Sequence, residues 1–271
     1  MLKQRIITAL WLVPLALFGF FQLEGYAFLA FITVIVGLAG WEWARLAGYH
    51  TQGQCVAYAV LVAFTLVLLS NLSALLLPLL YLAAVWWLLA IVMVITFPRS
   101  IGFWGGNLGK RFMGLLILVP AGLGLLVLKT LPQGNKLILS LMLLVWGADI
   151  GAYFFGRAFG KRKLAPRVSP GKSWAGLFGG LLTSLCIATG LAVYFQVAAS
   201  QFAFVLLGAA VVVLFSVVGD LTESMFKRQV GIKDSSQLLP GHGGVLDRID
   251  SLTAAAPIFA LLLLLTGWIL S

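Results

Sequence analysis

Residues 74–97 read ALLLPLLYLAAVWWLLAIVMVITF, without one charged side chain. A hydrocarbon core about 30 Å thick calls for roughly 20 apolar residues per crossing helix. This run is long enough, and eight more of similar character surround it, at 6–22, 26–44, 54–70, 112–130, 136–156, 176–196, 201–219 and 252–270. Lipid offers a backbone no hydrogen-bond partner, so only helices and closed barrels span it. Barrel strands would instead show short alternating segments. The sequence therefore predicts an all-α, polytopic integral membrane bundle of about nine transmembrane helices.

Composition agrees. The 271 residues are 62% hydrophobic and 10% charged, with mean hydropathy +1.08, whereas an ordinary soluble domain is about a quarter charged. A net charge of +10 could by itself mean nucleic acid, anionic lipid, or the orienting lysines of a membrane protein, and the last is the default. With the N-terminus cytoplasmic and nine crossings, all but two of the 18 Lys and Arg residues face the cytoplasm; Lys129 and Lys136 are the exceptions. In the 26–44 span, Glu42 lies near the end between Trp41 and Trp43, which suits headgroup depth at an aromatic belt. Cys55 and Cys186 lie in separate apolar runs and form no CxxC or disulfide framework. The opening MLKQR and apolar 6–21 look like a secretory signal, but no small-residue cleavage site clearly follows, so a retained first helix is expected. Gly and Pro cluster at 98–110, 156–171 and 240–244, marking loops.

Polar chemistry is concentrated. Five of the eight acidic residues fall in 220–250, so 1–135 reads as mainly structural helices. Residues 136–271 read as the catalytic region, with cytoplasmic loops at 157–175 and 220–250. Asp220 and Glu223 are three apart, as are Asp247 and Asp250; on helices each pair shares a face at about 5–6 Å. Two such pairs could hold a hard cation such as Mg²⁺ through oxygen, or they could be solvated charges and helix caps. Asp149 lies inside an apolar run, where a carboxylate costs about 2.5–3.5 kcal/mol and so faces a polar cavity. It is either a further metal ligand or a partner for Arg157.

Gly171-Lys172-Ser173 resembles the end of a P-loop, but that motif needs glycine where Pro166 stands, so a P-loop NTPase is excluded. A Ser-Pro-Gly turn opening a helix can still aim N–H groups and Lys172 at an anion. Lys161, Arg162 and Lys163 read as positive-inside anchoring. His242-Gly243-Gly244 either admits a ligand close to the backbone or shapes a turn. His50 reads as an interfacial loop residue.

Ser224-Met-Phe-Lys227-Arg228, then Lys233-Asp234-Ser-Ser236, then Leu239-Pro240-Gly-His242-Gly243-Gly244-Val-Leu-Asp247-Arg248-Ile-Asp250 resembles the signature of the phosphatidate cytidylyltransferase (CDP-diacylglycerol synthase) family. The stretch from Asp149 to Trp174 is similar to that family's upstream segment. Gly171-Lys172-Ser173 departs mildly from the family's frequent Lys-Lys-Thr, and Ala175 stands where an acidic residue is expected. The resemblance implies that CTP and phosphatidate give CDP-diacylglycerol and pyrophosphate with Mg²⁺, a second cation being left open.

The residue chemistry suits that reaction. A lipid phosphate oxyanion needs no base, and the task is to bring two polyanions together by positioning and electrostatics. Asp220 and Asp247 are the leading metal candidates, followed by Asp250, Glu223 and Asp149. Lys227, Arg228, Lys233, Arg248 and Lys172 are expected on phosphates, with Ser173 beside Lys172. His242, Gly243 and Gly244 shape the nucleotide site, and Asp234 orients Lys233. The expected setting is a bacterial inner membrane with the site facing the cytoplasm. Membrane lipids are the partners, nucleic acid is not, and small-residue faces permit a homodimer. The rivals are an ion-coupled transporter using intramembrane carboxylates, a dolichol kinase-like lipid enzyme and a silent scaffold.

Overall fold

The computed structural model describes residues 2–267. In chain order the helices are α1 (Leu2–Phe21), α2 (Gly25–Leu46), α3 (Gln52–Ser70), α4 (Ser73–Thr96), the short α5 (Ile101–Trp104), α6 (Asn107–Thr130) and α7 (Gly134–Phe159). A two-stranded hairpin follows, β1 (Lys163–Ala165) and β2 (Ser169–Ser173), then α8 (Trp174–Tyr194), α9 (Phe202–Gln229) and α10 (Leu246–Thr266). Among the described residues nine of these helices are long and apolar enough to cross a membrane. The chain is thus a polytopic, all-α integral membrane protein. Residues 268–270, at the end of the last predicted span, lie outside the described residues.

Most expected spans lie within a few residues of the helices, and the differences have identifiable causes. Helix α9 runs through Lys227 and Arg228 instead of ending near residue 219. Its terminator is Gly231 at φ +76°: the Gly231 N–H donates to Arg228 O at 3.1 Å and the Ile232 N–H to Lys227 O at 3.0 Å. This paired return is a Schellman ending, in which glycine tolerates the left-handed turn. Helix α10 begins at Leu246, before the apolar run, so Asp247 and Asp250 are helical too. The expected 157–175 loop contains the hairpin, in register Lys163↔Ser173 and Ala165↔Ser169. Ser173 caps α8 by accepting the Gly176 N–H at 3.1 Å.

Helices α6 and α10 form the most enclosed part of the bundle. Lipid tails are as apolar as leucine, so close backbone approach has to hold helices together in a membrane. Gly124 supplies it: a Cβ there would lie 2.7 Å from Ala256 C and Pro257 N of α10. Beside this main core, Leu144, Ala148, Ala188, Ala209 and Val213 form a smaller apolar cluster joining α7, α8 and α9.

The loops segregate to two faces. On one, Arg5 Nε donates to Gly241 O at 3.1 Å and Thr8 Oγ1 to Pro240 O at 2.8 Å. On the same face Gln229 Nε2 donates to Gly105 O, and Arg228 Nε to Val168 O. On the other, Lys129 Nζ donates to Phe20 O and Asn135 Nδ2 to Phe21 O. The polar motifs all belong to the first face.

Candidate active site

Three helices bring the predicted carboxylates into one another's fields. From α9, Asp220 pairs with Lys172 of β2 at 2.6 Å, the two side chains being 26% and 25% exposed. Asp149, on α7, lies within the fields of Asp220, Lys172 and Arg248. Asp250, on α10, lies within those of Asp220, Lys172 and Lys227. Its Oδ1 accepts the Ser251 N–H at 2.8 Å. Arg157 donates to Tyr153 Oη at 3.2 Å and forms no ion pair with Asp149 among the described residues. Of the two roles considered for Asp149, the structural one with Arg157 is therefore not made.

Two helical turns beyond Asp220, buried Lys227 bridges Glu223 at 2.9 Å and Asp247 at 2.6 Å. Asp247 differs from its expected partnership with Asp220. Its Oδ1 takes Lys227, while Oδ2 accepts the Ser235 N–H at 2.9 Å, the Ser235 hydroxyl at 2.9 Å and the Gly244 N–H at 2.7 Å. Four donors use the acceptor capacity of a carboxylate, so Asp247 here clamps the 233–245 loop onto α9. Asp220 and Asp247 each hold a different lysine.

Glu42 corrects the sequence reading most. Expected at headgroup depth, it is fully buried at 0% exposure. Its Oε1 accepts the Ser236 hydroxyl at 2.5 Å and the Val245 N–H at 2.9 Å. Its Oε2 accepts the Ser235 hydroxyl at 3.2 Å and the Leu246 N–H at 2.6 Å. The carboxylate thus satisfies the orphan N–H groups that open α10 and complements the positive end of its dipole. The working region is not confined to the second half of the chain, because α2 and α6 lie against α10.

The remaining candidates spread around this core. Arg228 is exposed, and its Nε and Nη1 donate to Val168 O and Ile232 O, tying the hairpin to the end of α9. Lys233, Asp234 and Arg248 are exposed, and no ion pair joins Lys233 to Asp234 among the described residues. His242 is partly buried, with Nδ1 enclosed and without a hydrogen-bond partner among the described residues. Gly243 sits at φ +82°, where a Cβ would come within 2.7 Å of Asp247 Oδ2. At Gly244 it would collide with Ser235 Oγ and Glu42 Oε1. The glycine pair therefore admits the protein's own carboxylates.

Two cavities flank the cluster. A slot of about 390 Å³ lies between α7, α8, α9 and the hairpin. Asp149, Arg157 and Lys172 line it together with apolar Ala148, Leu177 and Val213. A larger cavity of about 850 Å³ lies between α2, α6 and the 230–237 loop.

The donor chemistry suits a hard divalent cation. Asp149, Asp220, Glu223, Asp247 and Asp250 have two lysines among them in ion pairs, Lys172 and Lys227. Oxygen ligands with surplus negative charge are what Mg²⁺ selects. As arranged, no three His, Cys, Asp or Glu side chains among the described residues already form a metal cage.

Residues 3–266 match the cytidylyltransferase family. The chain is 62% identical over 268 residues to the phosphatidate cytidylyltransferase of Pseudomonas aeruginosa, covering 99% of each protein. It is 42% identical to that of Haemophilus influenzae, covering 96% of this chain and 98% of the relative. To that of Brucella suis it is 37% identical, covering 96% and 92%. With the match running through every membrane helix and both halves of the charged cluster, the chain belongs to the cytidylyltransferase family.

Proposed function

We propose that this enzyme transfers the cytidylyl group of CTP to phosphatidate, releasing CDP-diacylglycerol and pyrophosphate, at the cytoplasmic face of a bacterial inner membrane. The observation that carries the proposal is a carboxylate–lysine cluster beside a slot whose wall changes from charged to lipid-like. A lipid phosphate can meet a water-soluble nucleotide there while its acyl chains stay in the bilayer.

The chemistry asks little covalent work of the protein. An oxygen of the lipid phosphate attacks the α-phosphorus of CTP, forming a P–O bond. The bond from that phosphorus to the β-bridging oxygen breaks, and pyrophosphate leaves with the electron pair. No proton has to be removed from the nucleophile, which accords with the absence of any role for a serine or cysteine nucleophile. Lys172 and Arg157, on the slot wall, hold and orient the lipid phosphate. Lys172 is the junction between slot and cluster, since it already reaches Asp220. Lys227 is a positioning residue: locked between Glu223 and Asp247, it fixes α9 against the start of α10. The Gly243-Gly244 turn lets the loop close down on those carboxylates.

Asp149, Asp220 and Asp250 would hold Mg²⁺, with Glu223 next to them; the bound ion would neutralise phosphate charge that otherwise keeps the reactants apart. With nine crossings from a cytoplasmic N-terminus, 16 of the 18 basic residues fall on the cytoplasmic side of the sequence, which supports this orientation.

The test uses purified protein in mixed micelles with phosphatidate, labelled CTP and Mg²⁺. Labelled CDP-diacylglycerol and stoichiometric pyrophosphate are expected, with activity lost on EDTA treatment and restored by Mg²⁺. A phosphorylated lipid in place of a nucleotidyl lipid, or no lipid product, contradicts the proposal. Turnover indifferent to EDTA contradicts the metal assignment.

A further inference from the structure

The larger cavity has a chemistry that the catalytic cluster does not use. Arg45 and His50 enter it from the end of α2 and the turn after it, Asn107 and Lys110 from the start of α6, and Lys233 and Ser236 from the loop. Asp234 is the one carboxylate in its wall among the described residues. Lys110 is the telling residue. It is 4% exposed, and no carboxylate pairs with it among the described residues. Its unpaired ammonium in the cavity wall is therefore open to an anion that enters there. The surroundings agree. Helix α6 opens with no side-chain cap on its first N–H groups, which leaves donors and a positive dipole end nearby. The Arg45 guanidinium lies 4.1 Å over the Trp41 ring, which fixes it at the rim.

We propose that this cavity receives the triphosphate of the nucleotide, with Lys110 and Arg45 as its phosphate contacts. The assignment rests on the cytidylyltransferase reading above and adds where the nucleotide binds. Its volume, about 850 Å³, falls within the size range of small-molecule sites. Nine of the twelve residues in its wall are polar or charged, whereas the slot at Lys172 carries apolar Ala148, Leu177 and Val213. The cavity also borders the clamp over Lys227: Ser235, in its wall, donates its N–H to Asp247 and its hydroxyl to Glu42. A nucleotide entering from the aqueous face therefore abuts the clamp that holds Lys227. The first half of the chain, read as structural from its sequence, supplies both proposed phosphate contacts.

The full-length protein in mixed micelles tests this through Lys110→Gln. Losing a charge-assisted phosphate contact should raise KM for CTP roughly tenfold or more, with KM for phosphatidate within about twofold of wild type. Lys110→Arg should recover most of the difference. If Lys110→Gln does not fold, Arg45→Gln at the exposed rim should give the same split. An unchanged KM for CTP in a folded variant overturns the assignment, and so does a rise confined to phosphatidate, which would mark a lipid-phosphate site. Wild-type turnover is read in the same experiment. If it is absent, the parent reading fails; if it is present with an unmoved KM, only the cavity assignment fails.

Discussion

Replacing Glu42 with glutamine should destabilise both the bundle and its active site, although the shape hardly changes. Each carboxylate oxygen accepts one serine hydroxyl and one backbone N–H of the α10 entry. A hydroxyl can turn its hydrogen elsewhere, but a backbone N–H cannot. Whichever end the amide nitrogen occupies, either Val245 N or Leu246 N therefore faces another donor in a fully buried site. An unsatisfied buried donor costs about 1–3 kcal/mol. Loss of the negative charge at the α10 N-terminus adds about 0.3–1 kcal/mol. The sum is about 1.3–4 kcal/mol, which corresponds to a fall of about 3–16 °C in apparent Tm for a domain near this size. Because Asp247 and Asp250 follow within the first turns of the same helix, turnover should fall as well. Thermal unfolding in detergent, followed by tryptophan fluorescence, reads the first effect, and conversion of labelled CTP reads the second. Glu42→Gln with wild-type melting and wild-type turnover would refute the reasoning.

Further outcomes follow from single contacts. Lys227→Met leaves Glu223 and Asp247 buried without their cation, a loss of about 3–5 kcal/mol; folded, monodisperse yield should drop sharply, and an undiminished yield contradicts the bridging role. Gly124→Ala forces a Cβ against the α10 backbone and should cost about 1–3 kcal/mol, seen as a lower melting temperature. Gly190→Ala meets nothing within 4 Å and serves as the unaffected control. A cysteine placed at exposed Gln237, with exposed Cys186 changed to serine and Cys55 left buried, should react with an impermeant thiol reagent only in inside-out vesicles. Labelling in intact cells contradicts the orientation.

The helix count was legible because lipid imposes length and apolarity on every crossing segment, as residues 74–97 show. The ends of α9 and α10 were less so, since an apolar run stops at its first charge while a helix stops at its cap. Gly231 after Lys227-Arg228 was the available signal. The motif residues were legible as a group, but their pairing was not. Residue spacing places Asp220 beside Glu223 on one helix, yet it cannot say that Lys172 comes to Asp220 or that Ser235 comes to Asp247. Those contacts depend on how the loops fold back across the helix ends. Glu42 read as interfacial because it stands between two tryptophans near the end of its span, and Lys110 read as a loop cation because Arg111 adjoins it in a Gly-rich segment. The usable clue at Glu42 was its rarity: an ionisable residue inside a spanning segment is functional by default.

The most direct test compares wild type with Asp220→Asn for incorporation of label from CTP into phosphatidate at saturating Mg²⁺, with folding checked in parallel. The account predicts that the wild type forms CDP-diacylglycerol and one pyrophosphate per turnover. The folded variant should be slower by roughly 10²–10³-fold, the scale for removing one electrostatic group from a reaction centre. A folded Asp220→Asn protein that turns over at the wild-type rate would contradict it.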